Sequence, residues 1–479
     1  MPEDDLEAAL RRIVVQQQLL DQRIVALEQS RALHAWNVLY RKYSAWRGGV
    51  PDLRTPGDYE SLLHNEEERC PAVDPGIRFA VSIQGGNDAA TLKSLQAQSY
   101  KNWELSDKGD AIVNVHAGDR LAPHALHFYA QALARADAAY ADEDCTDMPL
   151  FKPGWSPELL LSTPYLGRAV VRRSGADLTN VVHIPRVLYH RAVTRVIEQK
   201  TPQYSMPPDA RMSVIVCSRE PRRVRECLDA LRRTTSCELE IIVMHHLGSG
   251  GDMRRTVERF AGTYITYEGP FDFARMNNLA AEKATSPALL FLNDDVILEH
   301  RGWDVAFTSA LSRSEVGAVG AILDYPDGTL QHAGVVTGVG DGAGHCGRFQ
   351  ISSNLWPWLR MSREVSAVTG AMLGIRTDLF RKLNGFDERF PVNYNDVDLC
   401  LRLRQAGLSV LCLNAGKVVH RESQTRLGGT TYEERDTLYK RWAPVLAKAD
   451  EFYSPHLAPT ERIALRMGNT PLANLVATR

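Results

Sequence analysis

The stretch Ala288-Leu289-Leu290-Phe291-Leu292-Asn293-Asp294-Asp295 decides the fold class. Its first five residues form a short apolar run, which is typical of a buried strand, and three polar residues end that run abruptly. A helical pattern over Asn277–Ala284 precedes it. In an open parallel sheet, ligands bind at the carboxyl ends of the strands, so the acidic cluster stands where a site is expected.

The residues from 212 to 244 predict two parallel strands joined by a helix. Met212–Cys217 and Leu239–Met244 are rich in β-forming residues, and Arg222–Arg233 between them has a helical pattern. A strand, a helix and a strand at this spacing are typical of a parallel βαβ unit. The sequence therefore predicts an α/β fold with a mostly parallel, Rossmann-like central sheet.

The adjacent carboxylates of Asp294 and Asp295 predict a cation site. Two carboxylates directly after a buried strand repel each other unless a positive charge lies close by. A divalent ion with a bound diphosphate supplies that charge, and Mg²⁺ or Mn²⁺ is the expected ion. The alternative is a solvated turn at the end of the strand, and the pair alone does not decide between the two.

Further candidates for chemistry lie downstream. Asp396 and Asp398 stand at the start of a helix over Leu399–Ala406, where carboxylates ordinarily cap the helix. In a shared pocket, Asp396 would instead remove the proton from an attacking hydroxyl. His420 follows a predicted strand over Ser409–Leu413 and is a candidate metal ligand, although a lone histidine is more often structural.

The order of these motifs resembles family two of the glycosyltransferases, which are inverting, nucleotide-sugar-dependent enzymes with the GT-A fold. The resemblance covers about residues 210–455. It rests on seven segments in order: Met212–Val216, Pro270–Asn278, Phe291–Val296, Tyr325–Gly334, Val368–Ala371, Tyr394–Leu403 and Val419–His420.

The resemblance implies roles for the acidic residues and the histidine. Asp295 would chelate the metal ion together with His420, and Asp294 would lie near the nucleotide ribose or the metal. Asp396 would be the catalytic base. The expected cofactor is Mn²⁺ or Mg²⁺, with a nucleotide diphosphate sugar as the donor substrate and a glycan or lipid-linked hydroxyl as the acceptor.

The resemblance also implies donor contacts at Ser218, Asn277 and Gly370, where a side chain at Gly370 would leave little room for the sugar. The chain departs from the family pattern after Met244. A carboxylate that reads the nucleobase is expected there, but His245 and His246 follow, and we expect them to be exposed loop residues.

The chain of 479 residues predicts several units. Residues 75–195 resemble a truncated, degenerate copy of the same domain without its acidic metal motif, which predicts packing or acceptor binding rather than catalysis. The predicted units are an N-terminal helix or coiled coil at 1–47, a linker at 48–74, the degenerate α/β domain at 75–195, a linker at 196–209, the GT-A catalytic domain at 210–455 and a tail at 456–479.

Composition excludes other classes of partner. A formal net charge of −2 gives no global positive field, so nucleic acid is not an expected partner. No apolar run approaches the ~20 residues that a membrane helix needs, and the N-terminus lacks a signal core, so we expect a cytoplasmic protein. The basic C-terminal segment suggests peripheral contact with the inner face of the membrane. The heptad spacing within residues 6–30 suggests a homo-oligomer, with a folded-back amphipathic helix as the alternative.

The expected function is metal-dependent, inverting glycosyl transfer in bacterial surface polysaccharide synthesis. The alternative is a carbohydrate-binding scaffold without catalysis, which Asn293 and Asn395 favour because they stand where acidic residues are frequent in the family. Trp356 and Trp358 suggest either stacking on acceptor sugars or interior packing. The Gly-rich stretch Gly338–Ser353 suggests a loop that closes over the donor.

Overall fold

The computed structural model describes residues 58–67, 70, 75–86, 88–145, 148–193, 196–247, 252–340, 342–421, 431–458, 460–461 and 463–466. The predicted N-terminal helix or coiled coil and the oligomer contact at residues 6–30 lie outside the described residues. No helix among the described residues is long and apolar enough to cross a membrane.

The first sheet is built from residues 79–191. Its strand order is β2-β1-β3-β7-β5-β8-β4, and β6 pairs with β5. The strands are β1 Phe79–Gln84, β2 Trp103–Leu105, β3 Ala111–His116, β4 Arg120–Leu121, β5 Ala138–Cys145, β6 Met148–Leu150, β7 Val170–Arg173 and β8 Val181–Arg191, and the helices are α1 Asp58–Glu67, α2 Ala89–Gln96, α3 Ala125–Leu133 and α4 Pro157–Ser162.

The central strand β5 of this sheet carries three consecutive acidic residues, all buried: Asp142, Glu143 and Asp144. Such charges are tolerated because basic groups pair with them. The Nε2 atom of His183 lies 2.9 Å from Asp142 and the Nδ1 atom of His190 lies 2.9 Å from Asp144. Glu143 pairs with Arg191 at 3.3 Å and with Lys152 at 3.7 Å. These carboxylates therefore form a paired network inside the sheet.

The second sheet is built from residues 211–413 and has the order β11-β10-β9-β12-β20-β14-β21-β19. Its elements and those around it are β9 Arg211–Ser218, α5 Pro221–Thr234, β10 Glu238–His246, α6 Met253–Glu258, β11 Thr263–Tyr267, α7 Phe273–Ala281, β12 Ala288–Leu292, β13 Val296–Leu298, α8 Trp303–Leu311, β14 Val316–Ala321, β15 Leu323–Asp324, β16 Leu330–His332, β17 Val335–Thr337, β18 Ala343–His345, a 3₁₀ helix Pro357–Arg360, β19 Arg363–Glu364, β20 Met372–Arg376, α9 Thr377–Lys382, α10 Asn395–Gln405, β21 Ser409–Leu413, β22 Val418–His420 and α11 Tyr432–Leu446.

The predicted α/β fold with a mostly parallel central sheet is confirmed. Strands β11, β10, β9 and β12 are mutually parallel, and β20 then runs antiparallel between β12 and β14. Helix α5 begins with Pro221, whose fixed φ suits the first helical turn, and it buries Val224, Leu228 and Leu231 against the sheet. Strand β12 has the predicted bounds, and all five of its residues are buried.

Strand pairing brings distant segments together at one end of the second sheet. Leu290 of β12 pairs with Val214 of β9 in parallel, so the residues that follow both strands emerge at the same edge. Val296 of β13 pairs with His420 of β22 in antiparallel register. This pairing places His420 beside Asp295, although 124 residues separate them in the sequence.

Burial corrects one sequence-based expectation and decides between two alternatives that the sequence left open. His245 and His246 are not exposed loop residues: both belong to β10, with 5% and 2% of their surface exposed. Trp356 and Trp358 are buried in the interior, and the indole N–H of Trp358 donates to the carbonyl of Phe151, 2.7 Å away. Interior packing against the first sheet therefore replaces sugar stacking for these tryptophans.

The start of the predicted tail packs onto the protein. Leu457 and Ile463 are buried, and Leu457 forms a β-bridge with Leu465. The carbonyl of Glu461 accepts the backbone N–H of Gly347 at 2.6 Å. The described part of the tail therefore packs against the residues around the second sheet.

Candidate functional site

A cleft of about 590 Å³ lies at the carboxyl end of β12. The β17–β18 hairpin, the segment 369–371 and the loop before α10 form its walls. The predicted site residues Asp396, Gly370 and His420 line it together with Asn293. Residues from four separate stretches of the sequence therefore meet at one opening.

Asp295 and His420 form the central pair of the site. The Oδ1 atom of Asp295 lies 3.1 Å from Nε2 of His420, and both side chains are about nine-tenths buried. The Nδ1 atom of His420 lies 2.8 Å from Oε1 of Gln331. Because an amide oxygen only accepts, Nδ1 of the neutral ring carries the proton and Nε2 presents a lone pair to Asp295.

Two acceptor atoms 3.1 Å apart require a proton or a cation between them. No group of three His, Cys, Asp or Glu side chains that could hold a metal ion occurs within the described ranges. Magnesium, however, is commonly bound by one or two carboxylates, with substrate phosphates and water completing its shell. The donor set of Asp295 and His420 thus fits a divalent ion that a diphosphate completes.

Asp294 and Ser218 are also brought together, at the ends of β12 and β9. The Ser218 hydroxyl contacts Oδ2 of Asp294 and accepts the backbone N–H of Glu220 at 2.9 Å. Burial raises the pKa of Asp294 to about 6, and the neighbouring charge of Asp295 acts in the same direction. A positive charge close to Asp294 would therefore stabilise its ionised form.

Backbone N–H groups fix the orientation of the Asp396 carboxylate. Gly370 donates to its Oδ2 atom at 2.7 Å and Val397 donates to Oδ1 at 2.8 Å. Helix α10 begins directly after Tyr394, whose φ of +61° lies in the left-handed region that non-glycine residues rarely adopt. A Cβ atom added at Gly370 would lie 3.2 Å from the ring of Phe273, so the glycine permits close packing at the cleft wall.

The remaining predicted site residue, Asn277, lies on α7 and is buried. Its Nδ2 atom donates to the carbonyl of Phe273 at 2.8 Å. Phe273 lines the cleft but Asn277 is not among the lining residues. A direct contact between Asn277 and a donor substrate therefore stays a prediction. Asp398 is not among the residues that line the cleft, and its buried carboxylate pairs with Arg402 at 2.8 Å and accepts from the Trp442 indole at 3.0 Å.

Sequence reasoning missed Glu434, which holds the loop before α10. Its buried carboxylate accepts the backbone N–H groups of Val392 at 2.8 Å and Asn393 at 2.7 Å, and the Asn393 side chain at 2.9 Å. It also forms a capping box with Thr431 at the start of α11. The Thr-x-x-Glu pattern at 431–434 was the available signal.

The end of β10, where a base-reading carboxylate was expected, carries two hydrogen-bonded histidines. Nδ1 of His246 accepts from Nε of Arg219 at 2.7 Å, and its Nε2 donates to the carbonyl of Gly269 at 2.6 Å. Burial lowers the pKa of His245, whose Nδ1 lies 2.8 Å from the Tyr264 hydroxyl. The two histidines therefore serve the packing of this strand end.

The family model described as "Glycosyltransferase like family 2" matches residues 184–443. The chain belongs to this family. The family 2 chain is 31% identical, over 489 aligned positions, to the O-antigen biosynthesis protein RfbC of Myxococcus xanthus, an alignment that covers 84% of this chain and 38% of that protein. It is 34% identical over 199 residues to the uncharacterized protein y4gI of Sinorhizobium fredii, covering 40% of this chain and 22% of that protein. The family 2 chain thus spans well under half the length of either relative.

Similar solved structures include GalNAc-T7 with UDP, GalNAc and Mn²⁺, at 10% identity and a TM-score of 0.41, covering 55% of the family 2 chain and 51% of that chain. Another is the mannosyltransferase PcManGT from Pyrobaculum calidifontis in complex with GDP-Man and Mn²⁺, at 17% identity and a TM-score of 0.33. This match covers 47% of the family 2 chain and 62% of that chain.

Proposed function

We propose that the chain is a metal-dependent, inverting glycosyltransferase that moves a sugar from a nucleotide diphosphate sugar to a hydroxyl of a glycan or lipid-linked acceptor. Membership of the glycosyltransferase family supports the reaction class, and the relative named for O-antigen biosynthesis supports a role in bacterial surface polysaccharide synthesis. One observation carries the proposal: Asp396 and His420 line the same cleft, and His420 contacts Asp295 at 3.1 Å.

Asp396 is the proposed general base. Its carboxylate is oriented by two backbone N–H groups and lines the cleft. Proton transfer to a positioned carboxylate contributes about 10²- to 10⁴-fold to a rate. Attack by the deprotonated hydroxyl on the face opposite the leaving group inverts the anomeric configuration.

Asp295 and His420 are the proposed ligands of a Mn²⁺ or Mg²⁺ ion, which when bound neutralises charge on the departing diphosphate. Gln331 accepts a hydrogen bond from Nδ1 of His420, which fixes the ring orientation and the tautomer that presents the Nε2 lone pair to the metal. Ser218, Asp294, Asn277 and Gly370 are the proposed donor contacts. We place the reaction in the cytoplasm, with peripheral contact to the membrane if the acceptor is lipid-linked.

A non-catalytic carbohydrate-binding scaffold is the second candidate. Asn293 and Asn395, which line the cleft where acidic residues are frequent in the family, favour it. A scaffold would bind saccharide without metal and without turnover, whereas the enzyme would hydrolyse its donor slowly and only with the metal.

The test is a screen of nucleotide sugars for donor hydrolysis and transfer, with Mn²⁺, with Mg²⁺ and with EDTA. Turnover of at least one donor that stops with EDTA supports the proposal. Saccharide binding without turnover of any donor would favour the scaffold instead. A matched control is Asp378→Asn, because Asp378 is exposed at the far end of β20 on α9.

A further inference from the structure

A second pocket, of about 210 Å³, lies between the first sheet and the segment that follows α11. Its walls come from Arg135 just after α3, from Gly154 and Trp155 before α4, from strand β8 and from residues 448–455. A single water needs about 10–15 Å³ of such space, so the pocket is large enough for a small organic ligand. None of these residues has a role in the reaction proposed above.

Direct contacts between the two walls build this pocket. The N–H of Gly154 donates to the carbonyl of Glu451 at 2.8 Å, and a Cβ atom added at Gly154 would lie 2.5 Å from that oxygen. Only glycine therefore permits this approach. Elsewhere on the same contact, Nε2–H of His456 donates to the carbonyl of Pro185 at 2.8 Å. These hydrogen bonds fix the walls of the pocket relative to each other.

The charges of the pocket favour an anion. Arg135 and Lys448 line it and are exposed, and their side chains form no ion pair or hydrogen bond within the part of the chain that the structure describes. The carboxylates of the lining are already engaged: Glu451 pairs with Arg404 at 2.8 Å, and Asp450 accepts two backbone N–H groups at 2.7 and 2.8 Å. Two positive charges are therefore available to a ligand.

The rest of the lining favours a flat ring that carries hydroxyl groups. Trp155 is half-buried, and its indole N–H has no acceptor among the described residues. Val182, Pro185 and Pro455 are half-buried in the same lining. An indole beside apolar groups offers a face to pack against and an N–H to donate. A sugar that bears a negative charge matches both the ring face and the two cations.

The β17–β18 hairpin links this pocket to the cleft. The Asp450 carboxylate, which lines the second pocket, accepts from the backbone and the hydroxyl of Thr337 at 2.7 and 2.9 Å. Val335, two residues earlier on β17, lines the cleft. At a strand rise of about 3.3 Å per residue, Val335 and Thr337 are about 7 Å apart. A glycan acceptor is the one proposed reactant that is long enough to occupy both sites.

We propose that the second pocket binds an anionic sugar unit of the acceptor glycan, with Arg135 and Lys448 pairing with its charge and Trp155 packing against its ring. The inference rests on the proposed function for the identity of the ligand as the acceptor. The charge is a carboxylate or a phosphate, since arginine and lysine pair with both. Acceptor binding, one of the two roles expected of residues 75–195, is thereby assigned to this domain.

The first test is binding and needs no turnover. Calorimetry with the full chain compares trigalacturonic acid with neutral maltotriose, and mannose 6-phosphate with mannose. We expect at least one anionic probe to bind at least about 10-fold more tightly than its neutral counterpart, and to weaken as NaCl is raised from about 50 to about 500 mM. Equal affinity within both pairs of probes would overturn the proposal.

The charge partners are tested with matched double variants. Arg135→Gln with Lys448→Gln should weaken the anionic probe at least about 10-fold, as expected for lost charge-assisted hydrogen bonds. Arg301→Gln with Lys382→Gln removes the same charge from exposed positions elsewhere and should bind like wild type. Equal losses in the two double variants would contradict the assignment. A parallel loss of UDP affinity in the first variant would make this a nucleotide pocket and overturn the proposal.

Trp155 is tested by a pair of substitutions. Trp155→Leu should weaken the same probe about 3- to 10-fold, whereas Trp155→Phe keeps an aromatic face and should stay within about 3-fold of wild type. Wild-type affinity in Trp155→Leu would contradict the packing of the sugar ring on the indole.

Donor hydrolysis separates this inference from the proposed function. The Arg135→Gln, Lys448→Gln double variant should hydrolyse its donor at the wild-type rate, because the pocket does not include the residues of the cleft that act on the donor. If wild type turned over no donor, the proposed function would fail, and calorimetry would still decide the ligand of the pocket. Normal hydrolysis without binding of either anionic probe would overturn this inference alone.

Discussion

Asp295 and His420 face each other across 3.1 Å because the residues beside them are paired in antiparallel strands. Val296 pairs with His420 itself, and the carbonyl of Asp295 accepts the N–H of Arg421 at 3.0 Å. The backbone pairing, and not the side-chain rotamers alone, therefore sets the distance between these side chains. A pair held in this way is preorganised for a shared ligand.

Asp396→Asn should lower kcat by about 10²- to 10⁴-fold and leave donor affinity largely unchanged, because an amide cannot take the acceptor's proton. The amide oxygen can still accept one of the two backbone N–H groups, so the fold of the loop should survive. Steady-state kinetics with the donor found in the screen, together with donor titration calorimetry, measure both quantities. Equal kcat values for this variant and Asp378→Asn would remove Asp396 as the base.

Gln331→Leu should weaken Mn²⁺ binding about 10- to 100-fold, because His420 loses the hydrogen-bond acceptor that fixes its tautomer and its ring orientation. Gln331→Glu retains an oxygen acceptor and is the matched control. Titration of activity with Mn²⁺ compares the two variants. The same Mn²⁺ requirement in both would show that Gln331 does not act through His420.

Glu434→Ala should cost stability and also slow the reaction, because three donors of the loop before α10 lose a buried acceptor. Unsatisfied buried groups cost about 1–3 kcal/mol each. Thr431→Ala removes only the helix cap, at a cost of about 1 kcal/mol, and should leave kcat near wild type. Urea unfolding and kinetics on both variants separate the two effects. A loss of activity in Thr431→Ala as large as in Glu434→Ala would contradict this assignment.

The contact between β19 and α4 should make stability depend on pH. Glu364 is buried against Ser156 and the backbone N–H of Glu158, and burial raises its pKa from 4.5 to about 7. Because the folded pKa is the higher one, this group's contribution to the free energy of unfolding is present below pH 4.5 and is lost as the pH rises to 7. Glu364→Gln carries no charge to bury at any pH.

Relative to wild type, Glu364→Gln should therefore gain on the order of 1–3 kcal/mol of unfolding free energy between pH 5 and pH 8. Urea unfolding of both proteins at the two pH values measures this difference. A constant offset between the two proteins across that range would show that Glu364 does not titrate with folding.

Local patterns predicted the core of the second sheet because its strands are short apolar runs with clear ends. Strand β12 matches its predicted bounds, and the strands around Met212–Cys217 and Leu239–Met244 extend by only one or two residues at either end. The acidic cluster after β12 followed from the rule that ligands bind at the carboxyl ends of parallel strands.

Contacts between distant segments could not be predicted from these patterns. The antiparallel pairing of β13 with β22 and the β17–β18 hairpin depend on tertiary packing, since each of these strands has only three residues. His245 and His246 look like polar loop residues, yet hydrogen bonds to Tyr264, Arg219 and Gly269 allow their burial. The burial of the acidic strand β5 could not be predicted either, because its basic partners come from several other segments.

The central claim is that Asp295 and His420 hold one divalent ion together beside Asp396. The most direct measurement is Mn²⁺ affinity in the presence of UDP or GDP for wild type, Asp295→Asn, His420→Leu and the double variant. We expect each single change to weaken binding at least about 10-fold, and the double variant to lose clearly less than the product of the two, because both ligands serve the same ion. Equal Mn²⁺ affinity in all four proteins would contradict the claim.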